Sequence, residues 1–295
     1  MSRVADALQR SRTVAGGEGH WPPLQGPGPM ASARAWSLLG LSPGRQGSEV
    51  VADPRLVTCP ASDMVAREQY RRLAASLHQA HLEHNLRTMI VTSALPREGK
   101  TLTAVNLALT LSVSYGRQVL LIDADLRQPS VHTLLRIDNT SGLTDTLASE
   151  RPLSLAHVLP NLWVLPAGPP CADPLGKLTS AEARHVIDEA HDLFDWVVID
   201  TPPVGLLPDA SVVAAMVEAT VLVVAAGRTP YAEVQRATET IGAARLFGMV
   251  LNRVSADVGD LHSGYYRSYA QPRREGPVAS ARGPEQPKHA SGGPG

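Results

Sequence analysis

The stretch MIVTSALPREGKT, residues 89–101, decides the fold expected of this chain. An apolar run comes first, a short loop follows, and Gly99-Lys100-Thr101 leads directly into an amphipathic helical pattern over residues 102–113. This order is typical of a phosphate-binding loop, in which backbone N–H groups and a lysine ammonium hold the phosphates and a hydroxyl helps to hold Mg²⁺. The helix directs the positive end of its dipole at the nucleotide. The stretch therefore predicts a nucleotide-binding site.

This loop departs from the common pattern G-x-x-x-x-G-K-[ST] at its first glycine, which is Ala94 here. Alanine can replace that glycine where the backbone angle φ stays negative, so we expect a working loop. Lysine usage supports this interpretation. The basic positions are nearly all arginine, and the sequence has just three lysines, Lys100, Lys177 and Lys288. A lysine kept inside the loop favours phosphate binding over a chance Gly-Lys-Thr at a strand-loop-helix corner.

Two further apolar runs end in carboxylates. QVLLIDADLR (118–127) carries Asp123 and Asp125, and DWVVIDTPP (195–203) carries Asp200. Runs that are apolar on both faces are typical of central parallel strands, whose carboxyl ends form the ligand crevice of an open sheet. Carboxylates at that edge can hold hydrated Mg²⁺ or accept a proton from a hydroxyl nucleophile. Asp123 and Asp125 alone would fit two capping residues at a strand end, but three strand ends converging on one crevice predict nucleotide hydrolysis or phosphoryl transfer.

Strand and helix patterns alternate along the middle of the chain. This alternation predicts an α/β class, a doubly wound and mainly parallel sheet with right-handed crossovers, in a P-loop NTPase fold with deviant motifs. Pro and Gly, 24 each in 295 residues, are concentrated at the two ends. We expect a short helix and a flexible Gly/Pro-rich linker over 1–60, the P-loop domain over 61–262, and a tyrosine cluster with a disordered tail over 263–295.

Charge and cysteine content exclude several classes of protein. The net charge of −1 and the sequence pI of about 6.8 do not favour a nucleic-acid surface. Cys59 and Cys171 show no metal or redox spacing and fit a reducing cytoplasm. No apolar run approaches the roughly 18 residues of a membrane span, and the first ten residues do not read as a signal peptide. The expected location is the cytoplasm, with any membrane association made through a partner.

Half of the six tyrosines lie in one short segment, SGYYRSY, at 265, 266 and 269. The flanking Gly, Ser and Arg, without apolar periodicity, favour an exposed segment over packing on a core. The chain between Val254 and Tyr265 can extend to roughly 35–40 Å, enough to reach an adjacent protomer.

The stretches TSALPREGKT (92–101), LIDADLR (121–127), VIDTPP (198–203) and VLNRV (250–254) together resemble a known family. It is that of the bacterial tyrosine kinases of capsular and exopolysaccharide synthesis, of the cytoplasmic type that works with a separate membrane chain-length regulator. The resemblance covers about residues 62–269. It implies a homo-oligomeric, Mg²⁺-ATP-dependent autokinase whose tail is phosphorylated by a neighbouring subunit, which controls ring assembly and polymer export. It also implies the regulator as activator and a cognate tyrosine phosphatase.

The resemblance assigns roles to individual residues. Lys100 and Thr101 bind phosphate and Mg²⁺, Asp123 is a metal ligand or the base for the tyrosine hydroxyl, and Asp125 and Asp200 complete the metal site. The nucleotide-binding set is Ala94, Pro96, Arg97, Glu98, Gly99, Lys100, Thr101 and Leu102, with Asn252 near the adenine. The phosphoacceptors are Tyr265, Tyr266 and Tyr269.

Two positions depart from the family pattern. Family loops usually read Pro-Gly-Glu-Gly-Lys, and Arg97 stands in the place of that first glycine. The family's oligomerisation helix carries Glu-x-x-Arg-x-x-Arg; Glu68 and Arg71 match, whereas Ala74 replaces the second arginine and Arg72 is the candidate substitute. This helix is predicted to start near 62–63, with an apolar stripe at positions 70, 73 and 77.

Two alternatives stay open on the sequence. One is a positioning or partition ATPase of the same broad fold. Two observations argue against it: Leu95 occupies the position where those ATPases usually place an intersubunit lysine, and the chain has no basic amphipathic tail. The other is a degenerate nucleotide-binding adaptor, motivated by Ala94 and Arg97.

Overall fold

The computed structural model describes residues 53–148 and 155–254. The predicted amphipathic helix at the amino terminus, most of the predicted linker, and the tyrosine cluster with its tail lie outside these ranges. Within the described part, no helix combines the length and the apolar character needed to cross a membrane.

Helices and strands follow one another through the described ranges. In chain order they are α1 (Met64–His84), β1 (Thr88–Ser93), α2 (Lys100–Ser114), β2 (Val119–Asp123), α3 (Val131–Leu135), α4 (Leu143–Ala148), β3 (Ala156–Leu159), β4 (Leu162–Leu165), α5 (Pro174–Leu178), α6 (Ala181–Leu193), β5 (Trp196–Asp200), α7 (Asp209–Ala214), β6 (Ala219–Ala225), α8 (Tyr231–Ile241) and β7 (Leu246–Asn252). Two helices come in succession after β2 and after β4, and two strands come in succession after α4.

The described strands form one sheet in the order β3-β4-β2-β5-β1-β6-β7. Its neighbouring pairs are parallel except for the antiparallel pair of β3 and β4. Strands β1, β2 and β5 are buried at every position, because runs that are apolar on both faces suit central parallel strands. The predicted α/β class and doubly wound, mainly parallel sheet are therefore confirmed.

Strand register sets the position of the acidic residues. Asp123 at the end of β2 pairs with Asp200 at the end of β5, and Val91 of β1 pairs with the same Asp200. Neighbouring strands lie about 4.8 Å apart, so paired residues are side by side. The register therefore brings both carboxylates to the edge of the sheet from which the loop after β1 departs.

The core fills both faces of the sheet. Val197 and Ile199 of β5 join one cluster with Phe194 after α6, whereas Trp196 and Val198 join a second cluster against α1 and α2. Burying one such aliphatic side chain contributes about 1.5–3 kcal/mol. The alternation along β5 explains why this strand is apolar throughout.

Helix α1 begins where the sequence predicts it. The Asp63 side chain accepts a hydrogen bond from the Val65 N–H at 3.1 Å and caps the first turn. Leu77 of the predicted stripe is fully buried. On the outer surface Arg71 lies 3.7 Å from Glu68, and both side chains are exposed.

The packed domain begins earlier than the sequence suggested. Leu56 is fully buried, the Val57 N–H donates to Asn106 Oδ1 at 2.9 Å, and Asn106 Nδ2 donates to the Arg55 carbonyl at 3.0 Å. The predicted linker boundary at residue 60 is therefore too late. Leu56 and Val57 form a short apolar pair without periodicity, so only the contacts with α2 reveal that this segment joins the core.

Candidate active site

The phosphate-binding loop joins β1 to α2 and has a glycine at the helix start. Gly99 is the N-cap of α2 with φ +99°, a left-handed conformation that side chains rarely adopt. Ala94 is fully buried and is not among the residues of positive φ, so its methyl group is compatible with the loop, as expected. Pro96 and Arg97 lie exposed at the tip, and Leu102 packs against the core under α2.

Arg97 has a backbone conformation that favours glycine, the residue that the family this chain resembles usually has at this position. Its backbone is left-handed, with φ 63°. That conformation costs a residue with a Cβ roughly 1–2 kcal/mol. The loop keeps its left-handed turn with an arginine, so interactions elsewhere in the fold offset this free-energy cost.

We expect Arg97→Gly to raise the free energy of unfolding by about 0.5 kcal/mol, since relief of the left-handed conformation exceeds the entropy cost of glycine. Chemical denaturation measures this change. Arg136→Gly is the matched control, because Arg136 is also left-handed, with φ 51°, at the end of α3. Both variants should gain stability, and only Arg97→Gly should alter ATP affinity. A loss of stability in Arg97→Gly would contradict the expected relief.

Lys100 lies where three strand ends meet. Its Nζ is 2.6 Å from Asp125 Oδ2 and 3.5 Å from Asp200 Oδ2, and it donates to Thr101 Oγ1 at 3.2 Å. These side chains come from the ends of β1, β2 and β5 and are nearly or fully buried. The structure thus brings together the groups that the sequence placed in one crevice.

Asp123 is held by backbone groups. Its Oδ1 accepts from the N–H of Asp125 at 3.2 Å, and its Oδ2 accepts from the N–H groups of Ser130 and Val131, both at 3.1 Å. The Ser130 hydroxyl donates to Thr101 Oγ1 at 3.1 Å. Sequence reasoning missed Ser130, although a serine before a short helix is a recognisable N-cap signal. These bonds fix the Asp123 carboxylate and link it through Ser130 to the hydroxyl of Thr101.

One ammonium faces three buried carboxylates, and the pKa values reflect this imbalance. Burial acts to lower the pKa of Lys100, but Asp200 and Asp125 outweigh it and the net shift is upward. Burial, followed by the charge of Asp200, raises the pKa of Asp123. Burial also raises the pKa of Asp200, although the Lys100 charge opposes it. The excess negative charge favours a bound cation.

Asp200 carries the feature that fits Mg²⁺ best. It is fully buried, and neither carboxylate oxygen has a hydrogen-bond partner of good geometry among the described residues. In residues 53–148 and 155–254 no three His, Cys, Asp or Glu side chains are grouped to hold a metal directly. Mg²⁺ commonly uses one or two carboxylates, several waters and substrate phosphates. The donors present therefore fit hydrated Mg²⁺ and not an all-protein cage.

The free energy of unfolding without nucleotide is expected to fall as pH rises from about 5 to about 8. The pKa values of Asp123 and Asp200 are raised from 3.8 to about 8 and about 6, so the folded state holds protons that the unfolded state has already lost. Denaturation across this range should show a smaller decline in Asp200→Asn than in the wild type. An equal decline in both proteins would contradict the assignment.

Asn252 lies against the phosphate-binding loop. Its Nδ2 donates to the Glu98 carbonyl at 2.8 Å and would be 2.1 Å from a Cβ built on Gly99. The end of β7 therefore supports the loop. Contact between Asn252 and the adenine stays a prediction.

A second ion pair stands beside the crevice. Arg127, two residues after Asp125, donates through Nε and Nη2 to the two carboxylate oxygens of Asp209, both at 3.3 Å. Asp209 is buried at the start of α7. Nothing in the sequence around Asp209 indicates this partner, because Arg127 is 82 residues away in the chain.

The fold and this crevice define a P-loop nucleotide-binding protein whose loop lysine meets carboxylates from the neighbouring strand ends. A family model described as AAA domain matches residues 97–244. The chain is 34% identical over 212 residues to the tyrosine-protein kinase YwqD of Bacillus subtilis (strain 168), covering 70% of this chain and 88% of that protein. It therefore belongs to the bacterial tyrosine kinase family and is a protein-tyrosine kinase.

Solved structures agree with this membership. The kinase domain of the Escherichia coli tyrosine kinase ETK matches with a TM-score of 0.59 and 30% identity, over 64% of this chain and 77% of that one. The chimerical protein CapA2B2 matches with a TM-score of 0.64 and 28% identity, over 76% and 99%. These likenesses favour the kinase over the partition ATPase and the adaptor.

Proposed function

We propose that this kinase transfers the γ-phosphoryl group of Mg²⁺-ATP to Tyr265, Tyr266 and Tyr269 of a neighbouring copy. In this way it regulates the polymerisation and export of a capsular polysaccharide or exopolysaccharide. The observation that carries the proposal is the meeting of three strand ends at Lys100, with Asp125 at 2.6 Å and Asp200 at 3.5 Å.

Different groups of the site bind the phosphates and the metal ion during phosphoryl transfer. The N–H groups of the loop and the Lys100 ammonium bind the phosphates. Thr101, Asp123 and Asp200 would hold Mg²⁺, directly or through water, and the bound ion supplies charge neutralisation at the phosphates.

Where Asp123 holds the ion only through water, its buried carboxylate is the base that takes the tyrosine hydroxyl proton, and its raised pKa favours that transfer. The tyrosine oxygen then bonds to the γ-phosphorus, the bond from that phosphorus to the β–γ bridging oxygen breaks, and ADP leaves.

The assembly and partners are part of the same proposal. The exposed face of α1 with Glu68, Arg71 and Arg72 is the self-association surface of a homo-oligomer. A membrane chain-length regulator is the activator and holds the kinase at the inner face of the cell membrane, and a cognate tyrosine phosphatase reverses the modification. The family resemblance supports these partners, and no nucleic acid is involved.

A mixing experiment tests chemistry and geometry together. The full-length wild-type kinase is incubated with Mg²⁺-ATP and a separately tagged Lys100→Met copy as acceptor, and phosphotyrosine is mapped by mass spectrometry. We expect phosphate on the three tail tyrosines of the tagged copy, which phosphorylates itself far more slowly than the wild type does. Phosphate confined to the wild-type copy would contradict transfer between subunits. Unmodified tyrosines in both copies, with and without the regulator, would contradict the autokinase.

A further inference from the structure

Glu98 is buried although it lies in an otherwise exposed loop tip. Its relative exposure is 3%, whereas the preceding Pro96 and Arg97 are exposed. A buried carboxylate is costly unless several donors satisfy it. The surroundings of Glu98 therefore indicate what its side chain does.

Three donors from two parts of the chain converge on this carboxylate. Oε2 accepts from the Leu95 N–H within the loop at 2.7 Å. Oε1 accepts from the Ala225 N–H at the end of β6, at 3.2 Å, and from the Thr229 hydroxyl. Because a carboxylate only accepts hydrogen bonds, it matches all three donors at once. The side chain thus joins the loop to the segment between β6 and α8.

The main chain of Glu98 makes a second attachment. Its carbonyl accepts from Asn252 Nδ2, so the same residue is tied to the end of β7. Thr229 also accepts from the Ala225 N–H at 3.2 Å. The loop is thereby held against two strands beyond those that carry the aspartates.

We propose that Glu98 is a positioning residue for ATP, which acts with Thr229 to fix the phosphate-binding loop against the end of β6. The inference rests on the nucleotide site of the proposed function. A loop whose N–H groups are already aimed at the phosphates loses less conformational freedom on binding, so affinity depends on what holds it. Neither the Glu98 carboxylate nor Thr229 then needs to contact ATP to control its binding.

Conservative variants distinguish the effect of the hydrogen bonds on the loop from the effect of side-chain size. Glu98→Gln keeps the side-chain volume but turns one acceptor oxygen into an NH₂ group, so at least one of the three donors faces another donor. Thr229→Val removes the hydroxyl at similar size, and Thr229→Ser keeps it. Glu239→Gln and Thr240→Val on the exposed surface of α8 are matched controls, since the hydrogen bonds of these side chains to Gln235 and to the Arg236 carbonyl stay within that helix.

The test measures Mg²⁺-ATP affinity by calorimetry, the KM for ATP and kcat, with thermal melts to establish folding. We expect Glu98→Gln and Thr229→Val each to raise Kd and KM roughly tenfold with kcat changed far less. The double variant should bind Mg²⁺-ATP with the same affinity as the weaker-binding single variant, because both changes break one hydrogen-bond network. Thr229→Ser should restore wild-type affinity.

Several results would overturn the positioning role. They are affinities of Glu98→Gln and Thr229→Val equal to those of the controls, losses that multiply in the double variant, or a fall in kcat with unchanged KM. If Glu98→Gln fails to fold, the proposal would be refuted by a Thr229→Ser protein that binds Mg²⁺-ATP as weakly as Thr229→Val does. Failure of the wild-type protein to bind Mg²⁺-ATP would instead overturn the nucleotide site, and the positioning role with it.

Discussion

Replacing Lys100 by methionine is expected to lower the rate of tyrosine phosphorylation by roughly 10²–10³-fold and to weaken the fold. The ammonium supplies charge to the phosphates in a buried crevice, where one such group is worth roughly 10²–10³-fold in rate. Without it Asp125 and Asp200 stay buried with no cation at 2.6 and 3.5 Å. Removing one partner of a buried ion pair costs about 3 kcal/mol in the free energy of unfolding. Single-turnover phosphorylation and chemical denaturation measure the two losses.

Lys177 provides the matched control for this prediction. Its Nζ donates to the Thr144 carbonyl at 2.9 Å, where the hydrogen bond joins α5 to α4. We expect Lys177→Met to lose about 1 kcal/mol of stability and to keep its kinase rate. A Lys100→Met protein with near-wild-type activity, or an equal loss of rate in both variants, would refute the central role of Lys100.

Replacing Gly99 by alanine is expected to destroy ATP binding by distorting the loop. Two costs coincide at this position, a left-handed backbone with φ +99° and a new Cβ only 2.1 Å from Asn252 Nδ2. A left-handed backbone costs about 1–2 kcal/mol and overpacking about 1–3 kcal/mol, so we expect a loss of about 2–5 kcal/mol in the free energy of unfolding. ATP affinity should fall by roughly 10²-fold, because the adjacent N–H groups and Lys100 move with the loop.

The two costs can be measured separately. Gly116 also has a positive φ of +60°, but no atom lies within 4 Å of a Cβ built on it. Gly116→Ala should therefore lose only about 1 kcal/mol, the backbone cost alone. Asn252→Ala combined with Gly99→Ala should recover part of the steric loss. If Gly99→Ala were no less stable than Gly116→Ala, the contact with Asn252 would be absent in solution.

Local pattern identified the elements that carry the site. Strand β5 was predicted because a run apolar on both faces suits a central parallel strand, and the start of α1 was predicted because Asp63 caps it. Local pattern misses one helix start by a single residue. A Thr-Pro pair is typical of an N-cap followed by the first helical residue, but the N-cap of α8 is Pro230, and the Thr229 hydroxyl donates to Glu98 instead.

The sequence by itself determined the parallel α/β fold, the phosphate-binding loop and the carboxylates at the strand ends, because periodicity, glycine and strand-end position are local properties. Only the tertiary structure decided that Arg127 meets Asp209 and that the Glu98 side chain turns towards β6. These contacts join residues far apart in the chain. They depend on strand register and on which donors packing leaves within reach, and no local pattern encodes either.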